Sequence, residues 1–209
     1  MHLRFWHWLT LLSLSVFMIQ AQGAEYEITT TADTRNQSEC SIRNALKAIK
    51  TQQAVGACEA GDENNSILLR EGKTYSVDCQ NGNPGVSCQE DNGDPQSLQV
   101  ARENSNDNNV QVTVRFELAG DFDEEDSPAN AILDASGDSR VLTVASNAEV
   151  RLTNITLKNG LASNGQGGLV LLKNNSGLAV NGSSVLEGGA ANKGGLIYAN
   201  NARIQVSED

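Results

Sequence analysis

A pattern of short apolar segments, separated by glycine and asparagine, repeats through the last third of the chain. The pair Gly-Gly at 167–168 precedes Leu-Val, and the pair at 194–195 precedes Leu-Ile 27 residues later. The segment 150–153 (VRLT) is followed by similar segments at 178–181 and 204–207, at intervals of 28 and 26 residues. Repeats of about 20 to 30 residues with Asn/Gly corners are typical of β-solenoids. The pattern predicts strands that each pair in parallel with a counterpart one repeat later.

A solenoid of this kind explains the aliphatic composition. Inward residues such as Val150, Leu152 and Ile155 are expected to stack in columns, so the core needs few aromatic side chains. Glycine and asparagine suit left-handed corner conformations that other residues adopt at a cost. The alternative is an antiparallel β-sandwich in which the Gly-Gly spacing is accidental.

Four more strands are predicted before the repeat. Three are short segments at 25–32, 66–70 and 73–77. The fourth, 109–116 (NVQVTVRF), alternates polar and apolar residues most strictly. Residues 78–97 are rich in Asn, Gly, Asp and Pro, and this composition indicates a loop.

One helix is predicted in this β-rich chain, over residues 40–50 (CSIRNALKAIK). Its apolar residues have the i, i+3, i+4, i+7 spacing of a single helical face. We expect this face to cover the open N-terminal end of the stacked strands. The face consists of Ile42, Ala45, Leu46 and Ile49.

All four cysteines, Cys40, Cys58, Cys79 and Cys88, lie in the first half of the chain. An even number of cysteines in an exported protein predicts two disulfides, and three pairings are open. Pairing of neighbours, Cys40 with Cys58 and Cys79 with Cys88, closes the shortest loops and is the expected arrangement. A Cys₄ metal site is the alternative, but no C-x-x-C pair is present.

The first 23 residues have the organisation of a secretory signal peptide. Arg4 precedes the apolar run 9–19, and small residues follow at Ala21 and Gly23. Cleavage there predicts a secreted, extracellular or cell-surface protein; a retained N-terminal anchor is the alternative. No later segment is apolar and long enough to span a membrane as a helix.

Loss of the signal peptide would also remove every histidine and tryptophan, because both residue types occur only within residues 1–23. Catalytic systems that need an imidazole, and histidine-based metal sites, are therefore excluded from the exported chain. The formal net charge of −11 disfavours nucleic acid and anionic membranes as partners.

Residues 40–46 (CSIRNAL) resemble the C-S-L-R-E-A-I motif of the bacterial CSLREA domain. The resemblance implies an exported right-handed parallel β-helix that begins with a capping helix. Residues 131–137 (AILDASG) are similar to a strand of pectin-lyase-like β-helices, and the Gly-Gly-Leu-Ile-Tyr segment is similar to coils of polymorphic outer-membrane proteins. Asn44 departs from the motif, which has Glu there, so a weaker helix start is expected.

These features divide the chain into three segments. They are a signal peptide at 1–23, a CSLREA-like cap with disulfide loops and first strands at 24–130, and parallel β-helix coils at 131–209. The chain ends within a repeat, so continuation into further coils is expected.

No catalytic residue is predicted. An acidic run supplies weak Ca²⁺ candidates, Asp121, Asp123 and Asp126, although a solvated loop is favoured there. Asp134 and Asp138 flank a glycine turn and could be lyase carboxylates, but turn-forming roles are favoured. The predicted function is a non-enzymatic, adhesin-like or structural interaction module with an undefined polysaccharide or protein ligand. The alternative is a Ca²⁺-dependent, pectate-lyase-like polysaccharide lyase.

Overall fold

A computed structural model describes residues 23–34, 38–77, 97–103, 111–120 and 128–207. This part of the chain contains one helix, α1 (Ile42–Thr51), and sixteen strands. The strands in the first half are β1 (Ala24–Glu27), β2 (Asn64–Leu69), β3 (Thr74–Ser76), β4 (Leu98–Val100), β5 (Val112–Leu118), β6 (Ala131–Asp134), β7 (Leu142–Val144) and β8 (Ala148–Thr153). Those in the second half are β9 (Ile155–Lys158), β10 (Leu161–Gln166), β11 (Val170–Leu172), β12 (Gly177–Asn181), β13 (Val185–Glu187), β14 (Ala190–Lys193), β15 (Ile197–Ala199) and β16 (Arg203–Ser207).

The strands form four sheets, and the pairings between the named strands are parallel. Sheet I has the order β1-β2-β5-β8-β12-β16, sheet II has β13-β9-β6-β3, sheet III has β15-β11-β7-β4, and sheet IV contains β10 and β14. From β2 onward the chain visits sheets I, II and III in the same order; the last two passages also include sheet IV. We call each passage a circuit. This parallel pairing excludes the antiparallel sandwich.

The register of the later circuits agrees with the repeat seen in the sequence. Val150 pairs with Leu178, which pairs with Ile204. In sheet III, Val170 pairs with Ile197, the spacing predicted from the Gly-Gly pairs. The strands between residues 24 and 130 belong to the same sheets as the later ones. The stacking therefore extends through the segments at 24–130 and 131–209.

The core consists of aliphatic columns that run from circuit to circuit. One column in sheet I contains Ile67, Phe116, Leu152 and Val180, which are paired in register. The first three are fully buried and Val180 is 7% exposed. In the last strand, β16, the apolar side chains of Ile204 and Val206 are exposed.

Helix α1 packs against β4 and β2, near the first-circuit end of the sheets. The four side chains of its predicted apolar face, Ile42, Ala45, Leu46 and Ile49, are all buried. The helix begins at Ser41, whose Oγ accepts a hydrogen bond from Asn44 N. Asn44 is itself buried and donates from Nδ2 to Glu39 O at 3.0 Å, a bond that the glutamate of the motif could not donate.

The first predicted strand, 25–32, is shorter in the structure because its end turns toward the helix. Strand β1 stops at Glu27, and Thr29 bonds to Cys40 through its backbone N–H, 3.1 Å from Cys40 O. Thr29 Oγ1 also accepts from Cys40 N at 3.2 Å. These bonds join the chain after β1 to the residue that precedes the helix.

The Gly-Gly pairs are required by close backbone approach. Gly167 has φ +68° and Gly194 has φ +61°, in the left-handed region that glycine adopts at little cost. A Cβ atom at Gly168 would lie 2.2 Å from Gly195 O and 2.4 Å from Ala190 N. Successive circuits therefore touch backbone to backbone at this corner.

Candidate functional site

A column of asparagines lies where the chain passes from sheet III to sheet I. Asn147, Asn175 and Asn201 occupy equivalent positions on three successive circuits. Their φ angles are 61°, 58° and 50°, in the left-handed region that asparagine adopts more readily than most residues. Asn175 Nδ2 donates to Asn147 Oδ1 at 2.5 Å, and Asn175 N donates to Asn201 O at 2.8 Å. The corner thus presents one amide side chain per circuit.

Beside this column, three residues of sheet I form a row across adjacent strands. Glu149 of β8 pairs with Gly177 of β12, which pairs with Arg203 of β16. Arg203 Nη2 donates to Glu149 Oε2 at 2.9 Å, although two strand spacings of about 4.8 Å separate the backbones. The bond crosses Gly177, where an added Cβ would lie 3.3 Å from Glu149 Cγ. Glycine at this position lets the two long side chains meet.

Glu149 is the centre of a polar cluster on the outer face of sheet I. Its Oε1 accepts from Arg151 Nε at 2.7 Å, and its Oε2 also accepts from Gln111 Nε2 at 3.3 Å. The Glu149 side chain is 9% exposed, whereas those of Arg151 and Arg203 are 47% and 69% exposed. Two guanidinium groups therefore surround one carboxylate. The cluster carries one surplus positive charge on a chain whose net charge is −11.

The asparagine column and the Glu149 cluster border an open groove of about 520 Å³. We call it the asparagine groove. The described residues that line it are Gln111, Asn147, Asn175, Ser176, Gly177, Asn201, Ala202 and Arg203. Most of these side chains are amides, hydroxyls or guanidinium, so the groove offers both donors and acceptors of hydrogen bonds.

The two aspartates considered as lyase carboxylates lie in a turn after β6. Burial alone would raise the pKa of Asp134. Hydrogen bonds from Ser136 N and Asn159 Nδ2, together with the charge of Lys158, instead hold this pKa below its ordinary value. Asp138 donates its backbone N–H to Ala135 O in the same turn. The carboxylate of Asp134 is thus engaged by its own turn and by β9, as a turn-forming aspartate would be.

Arg140 lies in the interior. It is buried, its Nε and Nη2 donate to Gln166 O and Gly167 O, and Nη1 donates to Thr143 Oγ1. Burial lowers the pKa of Arg140. These bonds tie the start of sheet III to the corner before β11.

The predicted calcium candidates Asp121, Asp123 and Asp126 lie outside the described residues, as do Cys79 and Cys88. Within the described ranges no group of three or more His, Cys, Asp or Glu side chains is placed to hold a metal ion. Cys40 and Cys58 form a disulfide, the pairing expected from their proximity in sequence.

The signal-peptide segment also lies outside the described residues, apart from Gly23. Among the helices that the structure describes, none is long and apolar enough to cross a bilayer.

The asparagine groove was missed by the sequence reasoning, although one signal for it was present. Asn147, Asn175 and Asn201 recur at the intervals of 28 and 26 residues that relate the neighbouring strands. The Glu149 cluster had no such signal, because its members belong to three different circuits. No protein-family model, no curated protein and no solved structure matches the chain.

Proposed function

We propose that this protein is an exported, non-enzymatic interaction module built on a right-handed parallel β-helix, with the asparagine groove as its binding site. The observation that carries the proposal is this groove, because its polar side chains recur on successive circuits. A ligand that follows the stacking direction meets the same kind of side chain at each strand spacing of about 4.8 Å. Such repeated surfaces are how solenoid proteins bind extended partners.

The β-helix is supported by the order in which the chain visits its sheets. Sheets I, II and III recur in one sequence, with parallel pairing between circuits. Connections between parallel strands are right-handed in about 98% of cases, which favours the right-handed form. Helix α1, held by the Cys40–Cys58 disulfide, would cover the first-circuit end. A crystal structure tests the handedness directly, and a left-handed course would contradict this part of the proposal.

Export and membership of the CSLREA-like family are supported by the segments at 1–23 and 40–46. Export is tested by producing the full chain with a C-terminal epitope tag in a Gram-negative bacterium. We expect the tag in the medium or on the cell surface, accessible to added protease, with the first 23 residues removed. A variant with Leu11→Arg and Leu14→Arg, which breaks the apolar run, should remain in the cytoplasm. Uncleaved wild-type protein in the cytoplasm would contradict export.

The non-enzymatic role is supported by the engagement of Asp134 within its own turn. It is tested by incubating purified protein with polygalacturonate and Ca²⁺ and measuring the unsaturated products. We expect no turnover above the blank. Turnover that Asp134→Asn abolishes would establish the lyase alternative.

A further inference from the structure

The asparagine groove is well suited to one class of ligand because of its shape. Asn147, Asn175 and Asn201 are stacked along the direction in which the circuits succeed one another. Asn175 and Asn201 are exposed. A chain-like ligand lying along this direction would meet amide groups at regular intervals of about 4.8 Å. A compact ligand would use only one of them.

The chemistry of the lining excludes some chain-like ligands. Gln111, Ser176 and the asparagines can each donate and accept hydrogen bonds, which matches a ligand rich in hydroxyl groups. Among the described lining residues none is aromatic, and the only apolar side chain is that of Ala202. The groove therefore lacks pockets for the apolar side chains of a peptide and platforms for stacking of bases or sugar rings.

Charge adds a preference for an anion. Arg203 uses its Nη2 group on Glu149, and a guanidinium has five donors in a planar fork. Its side chain is 69% exposed and lines the groove, so donors remain available to a carboxylate or sulfate. Glu149 and Gly177 fix the position of Arg203, because Glu149 is largely buried and reaches across Gly177. The anion site is therefore ordered before the ligand arrives.

We propose that the asparagine groove binds a linear anionic polysaccharide, with its hydroxyl groups on the asparagine column and its acid groups on Arg203. The inference rests on the proposed interaction function and adds the ligand class. Carboxylate and sulfate share the required chemistry, since both present paired oxygens to a guanidinium fork. The net charge of −11 repels polyanions over most of the surface, so binding requires this local site.

The test uses the purified full chain and three polymers that share one backbone: dextran, carboxymethyl-dextran and dextran sulfate. Binding is measured by biolayer interferometry at low and moderate salt. We expect one or both charged polymers to bind, with an affinity that falls as salt rises, and no binding of neutral dextran. Which charged polymer binds identifies the acid group. Equal binding of neutral dextran, or no binding of either charged polymer, overturns the proposal.

Matched variants assign the binding to the groove. Arg203→Gln should weaken binding about tenfold, the loss of one charge-assisted contact. Arg70→Gln removes the same charge from an exposed arginine paired with Glu27, outside the groove lining, and should leave binding within about twofold. Asn175→Ala should weaken binding with less effect on its salt dependence. Equal losses in the two arginine variants would show that net charge alone governs binding and would overturn the proposal.

Folding and export are separated from binding by independent readouts. Thermal melting of each variant verifies that Arg203→Gln, on an edge strand, retains the fold. Absence of binding by a correctly folded, exported protein refutes the polysaccharide ligand and leaves the export proposal standing. Binding by a protein that is not exported does the reverse.

Discussion

Arg43 and Asp33 form a buried, two-point ion pair between helix α1 and the chain that follows β1. Arg43 Nε lies 2.6 Å from Asp33 Oδ1, and Nη2 lies 2.5 Å from Oδ2. The two side chains are 3% and 1% exposed. Arg43 Nη1 also donates to Ser97 O at 3.3 Å, just before β4. One side chain of the CSIRNAL segment therefore joins the helix to both ends of the first circuit's structure.

Removal of Arg43 is expected to destabilise the protein strongly. Arg43→Ala leaves the Asp33 carboxylate buried without its bidentate partner, and loss of one partner from a buried pair costs about 3 to 5 kcal/mol. Urea denaturation at neutral pH measures the change in the free energy of unfolding. Arg70→Ala is the matched control, because Arg70 pairs with Glu27 at the surface and its loss should cost less than about 1 kcal/mol. Equal effects of the two substitutions would contradict the structural role of Arg43.

The close approach of circuits at the Gly-Gly corner predicts an intolerance to side chains. A Cβ at Gly168 would overlap Gly195 O and Ala190 N, which are backbone atoms and cannot move independently. Gly168→Ala should therefore destabilise the protein by about 3 kcal/mol or more. At Gly165 the nearest atom to an added Cβ is 3.5 Å away, so Gly165→Ala should change stability by less than about 1 kcal/mol. Thermal melting of both variants checks the difference, and similar melting temperatures would refute the close contact.

The Cys40–Cys58 disulfide should contribute to stability mainly by restricting the unfolded chain. It spans 18 residues in sequence, for which loop-closure entropy gives about 3 kcal/mol. Reduction with dithiothreitol should lower the urea midpoint of the wild type. The variant Cys40→Ala/Cys58→Ala should have a lower midpoint from the start. Any further fall that reduction causes in this variant measures Cys79 and Cys88 alone. If the double variant were as stable as the wild type, the disulfide would have no role in holding α1.

The later circuits could be predicted from sequence because their length is nearly constant. Val150, Leu178 and Ile204 are 28 and 26 residues apart, and their pairing was correctly inferred. Earlier circuits are longer: Phe116 pairs with Leu152 after 36 residues and with Ile67 after 49. A repeat of variable length leaves no fixed period in the sequence. Stacking before residue 131 was consequently not visible as a repeat.

The polar contacts could not be predicted in the same way. Glu149 and Arg203 are 54 residues apart, and their bond depends on a glycine between them in the sheet. Arg43 and Asp33 are close in sequence, but only the turn after β1 brings the carboxylate beside the helix. Apolar columns are recorded in the sequence as a period. A charge pair that crosses circuits is defined only once the register is known.

Tyr26 tests how a buried hydroxyl without a partner affects stability. Its side chain is buried, and within the described part of the chain its Oη has no hydrogen-bond partner. Tyr26→Phe should therefore stabilise the protein by about 1 kcal/mol, because a buried unsatisfied polar atom is removed. Tyr75 is the matched control: it is equally buried, but its Oη accepts from Arg70 N at 2.8 Å. Tyr75→Phe should destabilise by about 1 kcal/mol, so the two substitutions should have opposite signs in urea denaturation.

The same tyrosine predicts a loss of stability at alkaline pH. Burial, with the nearby carboxylates of Glu59 and Asp62, raises the pKa of Tyr26 from 10.0 to about 12. Between these values the unfolded chain has lost the Tyr26 proton while the folded chain retains it, so the free energy of unfolding falls as pH rises. This group contributes a slope of up to about 1.4 kcal/mol per pH unit, which Tyr26→Phe removes. Urea midpoints of the wild type and Tyr26→Phe, measured from about pH 9 to about pH 12, should diverge in favour of the variant. Parallel curves would refute the raised pKa, because all other titrating groups are common to both proteins.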